Sequence, residues 1–131
     1  HVSRPGIVIG RGGSGLEELV EEGNLNSHEI GKILRRYLLP LVKNNVDAIA
    51  LGCTHYPFLK DTIQEIVGKN VAVVDSGGAV SRRLKEVLTH ENLLSTQKKT
   101  DLYYTTGDSE KFERVAGELM KKTIEAEHVG L

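Results

Sequence analysis

The chain has 131 residues, is 39% hydrophobic and 27% charged, and carries a net charge of −1. That length supports one domain with a real core, and the composition excludes a disordered or low-complexity chain. The near-zero net charge gives no global field for nucleic acid, and no apolar run reaches the roughly 20 residues that span a bilayer. No secretory pattern opens the sequence, so a cytoplasmic setting with no membrane partner is expected. A single cysteine, Cys53, cannot close a disulfide within the chain.

In chain order, the first segment is "RPGIVIGRGGSGLEEL" (4–19). Gly10, Gly12 and Gly15 give G-x-G-x-x-G after "GIVI" and before a helix-like stretch, the pattern of a dinucleotide loop. No acidic residue about 20 positions further ends a second strand, which weakens that reading. Arg4 and Arg11 make residues 1–16 locally basic. Next, "NSHEIGKILRRYLLPLVKNN" places Ile30, Ile33, Leu34, Tyr37, Leu38, Leu41 and Val42 at helical spacing, capped by Asn26 or Ser27. Pro40 should kink that helix or end it early.

"VDAIALG" (46–52) predicts a short strand buried on both faces. Pro57 suits a first helical turn, and Leu59, Ile63, Ile66 and Val67 form a stripe ending at Gly68. "VAVVD" (71–75) is a second strand, followed by loop and helix in "SGGAVSRRLKEVL", where Asp75 and Ser76 suit a turn and cap. "LYYTT" (102–106) is a third strand, with one tyrosine packed and one outward, and Asp108 caps a helix over "GDSEKFERVAGELMKK". Residues 89–101 read as a polar connection and 123–131 as a tail. Lys98, Lys99 and the lysines of "MKK" (120–122) read as solvated faces. Strand and helix alternate, which predicts an α/β fold: one domain over 1–131, with a small, mostly parallel three-stranded sheet flanked by helices and an N-terminal GxxG segment. Three strands leave sheet edges without neighbours, so a homo-oligomer is expected.

Chemistry concentrates in "LGCTHYPFL" (51–59). Ligands in α/β sheets sit beyond the carboxyl ends of strands, where Cys53 falls. A helix amino terminus near Pro57 would favour its thiolate, and His55 could relay its proton. A lone cysteine is equally at home as a small buried hydrophobe. A metal site is not expected, since His1, His28, His90 and His128 show no companion spacing.

"LGCTHYPFL" is very similar to the second cysteine segment of glutamate racemases, within the wider aspartate/glutamate racemase family. "VEEGNL" (20–25), the "LLPL" helix, "VVDSG" (73–77) and "YYTTGDSEKF" (103–112) resemble further segments of that family in the same order. The resemblance covers about residues 19–131, the carboxy-terminal half of the family's chain. It implies a cofactor-independent isomerase supplying D-glutamate for the cell wall, in which two cysteines face opposite sides of the substrate's α-carbon. It implies Cys53 as the second acid/base, His55 as its assistant, Thr54 as a substrate contact and Glu21 as the acidic partner, with glutamate as substrate. Read as residues alone, Glu21 could equally belong to an exposed acidic face with Glu17, Glu18 and Glu22. The family's first cysteine and its aspartate loop do not occur in these residues, so the expected state is a racemase-derived fragment without activity.

The segment over residues 1–19 resembles instead the helix, GxxG loop and helix of KH domains, as found in a small-subunit ribosomal protein. Gly10, Arg11, Gly12 and Gly13 would form a loop making weak contact with RNA backbone, with Ile9 and Leu16 as flanking core positions. A docked glycine turn without RNA affinity fits the same residues. Two resemblances meeting at residues 16–20 suggest a chimera, in which Ile7, Val8, Ile9, Leu16, Leu19 and Val20 would cover apolar surface. A natural gene remnant, and a folded chimera with no evolved function, remain alternatives.

Overall fold

Ser27 starts the longest helix. In the computed structural model, which describes residues 8–10, 12–23, 25, 27–95, 97 and 100–130, its hydroxyl accepts the Ile30 amide at 3.2 Å. This caps α2 (His28–Lys43), whose buried face is Ile30, Leu34, Leu38 and Leu41. Asn26, the alternative cap, lies outside the described residues, as do residues 1–7, Arg11, Lys98 and Lys99. Pro40 does not end α2, which continues to Lys43: it sits in the final turns. The amide it lacks would have bonded the carbonyl of exposed Arg36, which water can reach, so the helix tolerates the loss.

Before α2 comes α1 (Leu16–Glu21), entered through Gly15 at φ 87°, with Leu16 and Val20 buried. After it, β1 (Ala48–Ala50) leads through a 3₁₀ turn at Tyr56–Leu59, with Pro57 in its first positions, into α3 (Lys60–Val67). Gly68 closes α3 at φ 80°, and β2 (Ala72–Val74) pairs in parallel with β1, Ile49 opposite Val73. α4 (Gly77–His90), β3 (Tyr103–Thr105), α5 (Ser109–Met120) and β4 (Ala126–His128) follow. Asp75 makes the expected turn, accepting the Gly77 amide at 2.9 Å, and Asp108 caps α5 through the Lys111 amide at 2.7 Å. Tyr103 is half-buried and Tyr104 exposed, while Lys122 pairs with Asp101 at 2.9 Å instead of standing as a bare cation.

The architecture is α/β with short parallel strands flanked by helices, as expected. Its strands differ in grouping: among the described residues β1 pairs with β2 and β3 with β4, as two separate parallel ribbons. The tail at 123–131 supplies β4, the partner β3 takes in place of β2. The strands are also buried on one face, not two. Val73 is buried, yet Ala72, Val74, Ala48 and Ala50 are exposed, because α2 and α3 pack on one side and α4 buries nothing on the other. Of the apolar cover expected from the amino-terminal segment, Leu16 and Val20 are buried and Leu19 partly so. Val8 is 94% exposed and Ile9 40%, a correction: residues 8–10 and 12–13 are not helical and have no element to bury these side chains against. Ile7 lies outside the described residues. No helix among those described is long and apolar enough to cross a membrane.

Candidate active site around Cys53

Helical spacing places Glu17 and Glu21, four residues apart, on one face of α1. The loop that leaves β1 brings Cys53, His55 and Tyr56 to that face. Glu21 Oε1 lies 3.1 Å from His55 Nε2, and His55 Nδ1 lies 3.6 Å from Cys53 Sγ. When Nε2–H is donated to Glu21, Nδ1 is left as the acceptor that faces the sulfur. The three residues singled out from sequence thus form one line, carboxylate to imidazole to thiol, on a half-buried cysteine. Thr54 lies exposed between Cys53 and His55.

Two further residues join that line. Tyr56 donates its hydroxyl to Glu17 Oε1 at 2.7 Å, the Gly13 carbonyl lies 3.2 Å from the same phenol oxygen as a second acceptor for that one proton, and the Cys53 thiol reaches the same Glu17 oxygen at 3.9 Å. The Tyr56 hydrogen bond is the main reason the Glu17 carboxyl is held below its ordinary range. Burial, then the Glu17 hydrogen bond, pushes the Tyr56 phenol upward. Tyr56 is therefore a neutral donor at neutral pH.

Sequence reasoning grouped Glu17 with an exposed acidic face and did not single out Tyr56. The usable signal was the four-residue spacing from Glu21, which puts the two carboxylates on the same side of a helix. A helical turn does begin near Pro57, as a 3₁₀ turn over Tyr56–Leu59 that runs into α3 at Lys60, but the polar contacts of the sulfur among the described residues are the side chains of Glu17 and His55.

The glycine-rich segment reaches this site through Gly13. Gly13 is half-buried against Tyr56, and a Cβ there would collide with the phenol, whereas Gly10 and Gly12 have open space around them. Arg11 lies outside the described residues. No group of three or more histidine, cysteine, aspartate or glutamate side chains among the described residues is placed to share a metal ion.

No protein-family model matches the chain. It is 37% identical over 125 residues to the glutamate racemase of Ralstonia pickettii, an alignment covering 95% of this chain and 44% of that protein. Among solved structures, it superposes on glutamate racemase isoform RacE1 of Bacillus anthracis with a TM-score of 0.75 at 29% identity, over 87% of this chain and 43% of the other. The Francisella tularensis glutamate racemase, solved in complex with D-glutamate, gives a TM-score of 0.72 at 28% identity over 88% and 44% of the two chains. The chain spans less than half the length of the curated relatives it matches, 44% of one and 34% of another. An alignment over 95% of the chain takes in most of residues 1–19, so the racemase likeness runs through the region where the sequence suggested a join. Over nearly its whole length, the chain is homologous to glutamate racemases.

Proposed function

We propose that this chain carries one acid/base half of a glutamate racemase site. Cys53 exchanges a proton with the α-carbon of glutamate from one face, His55 carries the proton to and from sulfur, and Glu21 orients the imidazole. The observation that supports this most directly is the Glu21–His55–Cys53 line, at 3.1 and 3.6 Å. An α-proton of an amino acid is weakly acidic, so its removal needs a base that is positioned in advance and reloaded quickly. A histidine whose far nitrogen is held by a carboxylate meets both needs. Thr54, exposed beside Cys53, contacts the substrate in this reading. No cofactor enters this reading.

Inversion needs a second proton donor on the opposite face, and these 131 residues hold one thiol. In the two-cysteine reading that donor comes from outside them. By itself the half-site therefore exchanges without inverting: the thiolate takes the α-proton, sulfur equilibrates with solvent, and the proton returns to the same face. Incubation with each glutamate enantiomer in deuterated water should label one enantiomer at the α-carbon with retention, and Cys53→Ala should abolish the label. No labelling by folded protein would sink the reading. Brisk interconversion of both enantiomers by the purified chain would sink the single-thiol form of it. Exposed apolar residues on α4 (Val80, Leu84 and Val87) support association with a second copy, which a mass measured in solution decides.

The alternative reading, RNA contact at Gly10, Arg11, Gly12 and Gly13, predicts steeply salt-dependent binding. A flat titration at low salt removes it.

A further inference from the structure

The Cys53 S–H has two acceptors within reach, His55 Nδ1 at 3.6 Å and Glu17 Oε1 at 3.9 Å, and they have opposite consequences. Transfer to the imidazole leaves a thiolate beside a cation that Glu21 steadies. Glu17 is a fixed negative charge. A sulfur that donates to it stays a thiol, and a thiolate would meet like charge across the same gap. Tyr56 fixes that carboxylate in place by donating to the same oxygen at 2.7 Å while anchored at Gly13.

We propose that Glu17 is a positioning residue that holds Cys53 in its proton-donating form, with Tyr56 setting how strongly it does so. The inference rests on the assignment of Cys53 as an acid/base. In the donating step the S–H bond breaks, its proton forms the new C–H bond at the carbanionic α-carbon, and the electron pair stays on sulfur as thiolate. Glu17 opposes that product, which keeps the thiolate short-lived and drives its reprotonation through His55. The groups that face the sulfur are Glu17 from α1, and His55 and Tyr56 from the loop after β1, with Glu21 from α1 on the far nitrogen of His55. Tyr37 from α2 faces Tyr56 and bonds the Ser14 carbonyl.

The test is the rate of Cys53 alkylation by iodoacetamide as a function of pH, with the intact chain and no glutamate present. Glu17→Gln keeps the shape and removes the charge. Removing one like charge about 4 Å away in largely aqueous surroundings should raise the rate at neutral pH about 3- to 10-fold and move the profile to lower pH. Tyr56→Phe frees the carboxylate to bond the thiol alone, so its profile should move to higher pH. The opposed shifts separate charge from packing, because a loosened loop raises the rate equally at every pH. Such a parallel rise, or profiles that superpose on the parent's, would overturn the proposal, and the Tyr56→Phe arm decides alone should Glu17→Gln fail to fold. Failure of the half-site reading looks different: opposed alkylation shifts with no α-deuteration of glutamate.

Discussion

Residues 16–74 and residues 77–130 are built from the same kinds of element, yet only the first set encloses a core. Leu16, Val20, Ile30, Leu34, Leu38, Leu41, Leu59, Ile63, Val67, Val71 and Val73 form one buried cluster, in which α2 and α3 close over β1 and β2. Beyond residue 76, neither α4 nor α5 has a buried residue, and Ile124 is the buried apolar side chain among those described. Both sets contain a parallel βαβ unit. What separates them is whether a second layer of helix lies over the βαβ unit: α2 supplies it for β1 and β2, and among the described residues nothing equivalent covers β3 and β4. Cys53 and its partners belong to the cored set, so the chemistry sits beside the buried cluster.

The largest expected effect follows from that asymmetry. Ile30 is fully buried, and Ile30→Ala should cost about 2–5 kcal/mol of unfolding free energy, whereas Leu84→Ala on α4, 56% exposed, should change it by about 0.5 kcal/mol or less. Urea unfolding of both variants reads the difference. A large loss at Leu84 would break the comparison by showing that α4 is covered in solution, and mass measurement would then identify a second copy as the cover.

Much of this was legible in the sequence, for reasons that also explain what was not. The Ser27 cap, the α2 stripe, the Leu59–Ile63–Val67 stripe and the Asp108 cap are local, and local pattern fixes them. Strand pairing is not local. "VAVVD" and "LYYTT" read equally well as neighbours, and which edges meet depends on what covers their faces. β4 escaped because Glu125 and Glu127 interrupt its apolar residues, so "IEAEH" carries no apolar run. The Cys53–His55–Glu21 line came from the segment's likeness to racemases, and the distances agree with that grouping. Glu17 was missed because a carboxylate on an exposed helix looks like a solvated one until the loop that meets it has a position.

An intermediate effect sharpens the comparison at the helix starts. Ser27 and Asp108 make the same kind of cap, one in each region, and loss of either should cost about 1 kcal/mol of helix stability. Ser27→Ala should appear as a lower global unfolding midpoint, because α2 is bound into the core. Asp108→Ala should appear mainly as faster hydrogen exchange along α5, which has no buried residue of its own and meets the cluster through the partly buried Leu119. If Asp108→Ala lowers the global midpoint as much as Ser27→Ala does, the two regions unfold as one.

The smallest expected effect is in acid. Each region has one lysine–aspartate pair that holds a carboxyl below its ordinary range: Lys60 with Asp75, aided by the Gly77 amide, and Lys122 with Asp101. A depressed carboxyl contributes its full stabilisation above the unfolded aspartate value, about 3.9, and loses it as pH falls through the lower folded value. Both contributions are therefore intact at neutral pH and fade only below about pH 4. Their sizes should differ, since the Asp75 side chain is 18% exposed and that of Asp101 is 70% exposed, where water and salt screen the charge. Lys60 also ties the start of α3 to the end of β2, two elements of the core, whereas Lys122 ties a helix end to the start of an uncovered ribbon. Lys60→Met should accordingly destabilise the protein at neutral pH and flatten the acid limb of its stability curve, and Lys122→Met should leave both nearly unchanged. Equal responses would mean that the second ribbon is as well enclosed in solution as the first, and the distinction between the regions would fall.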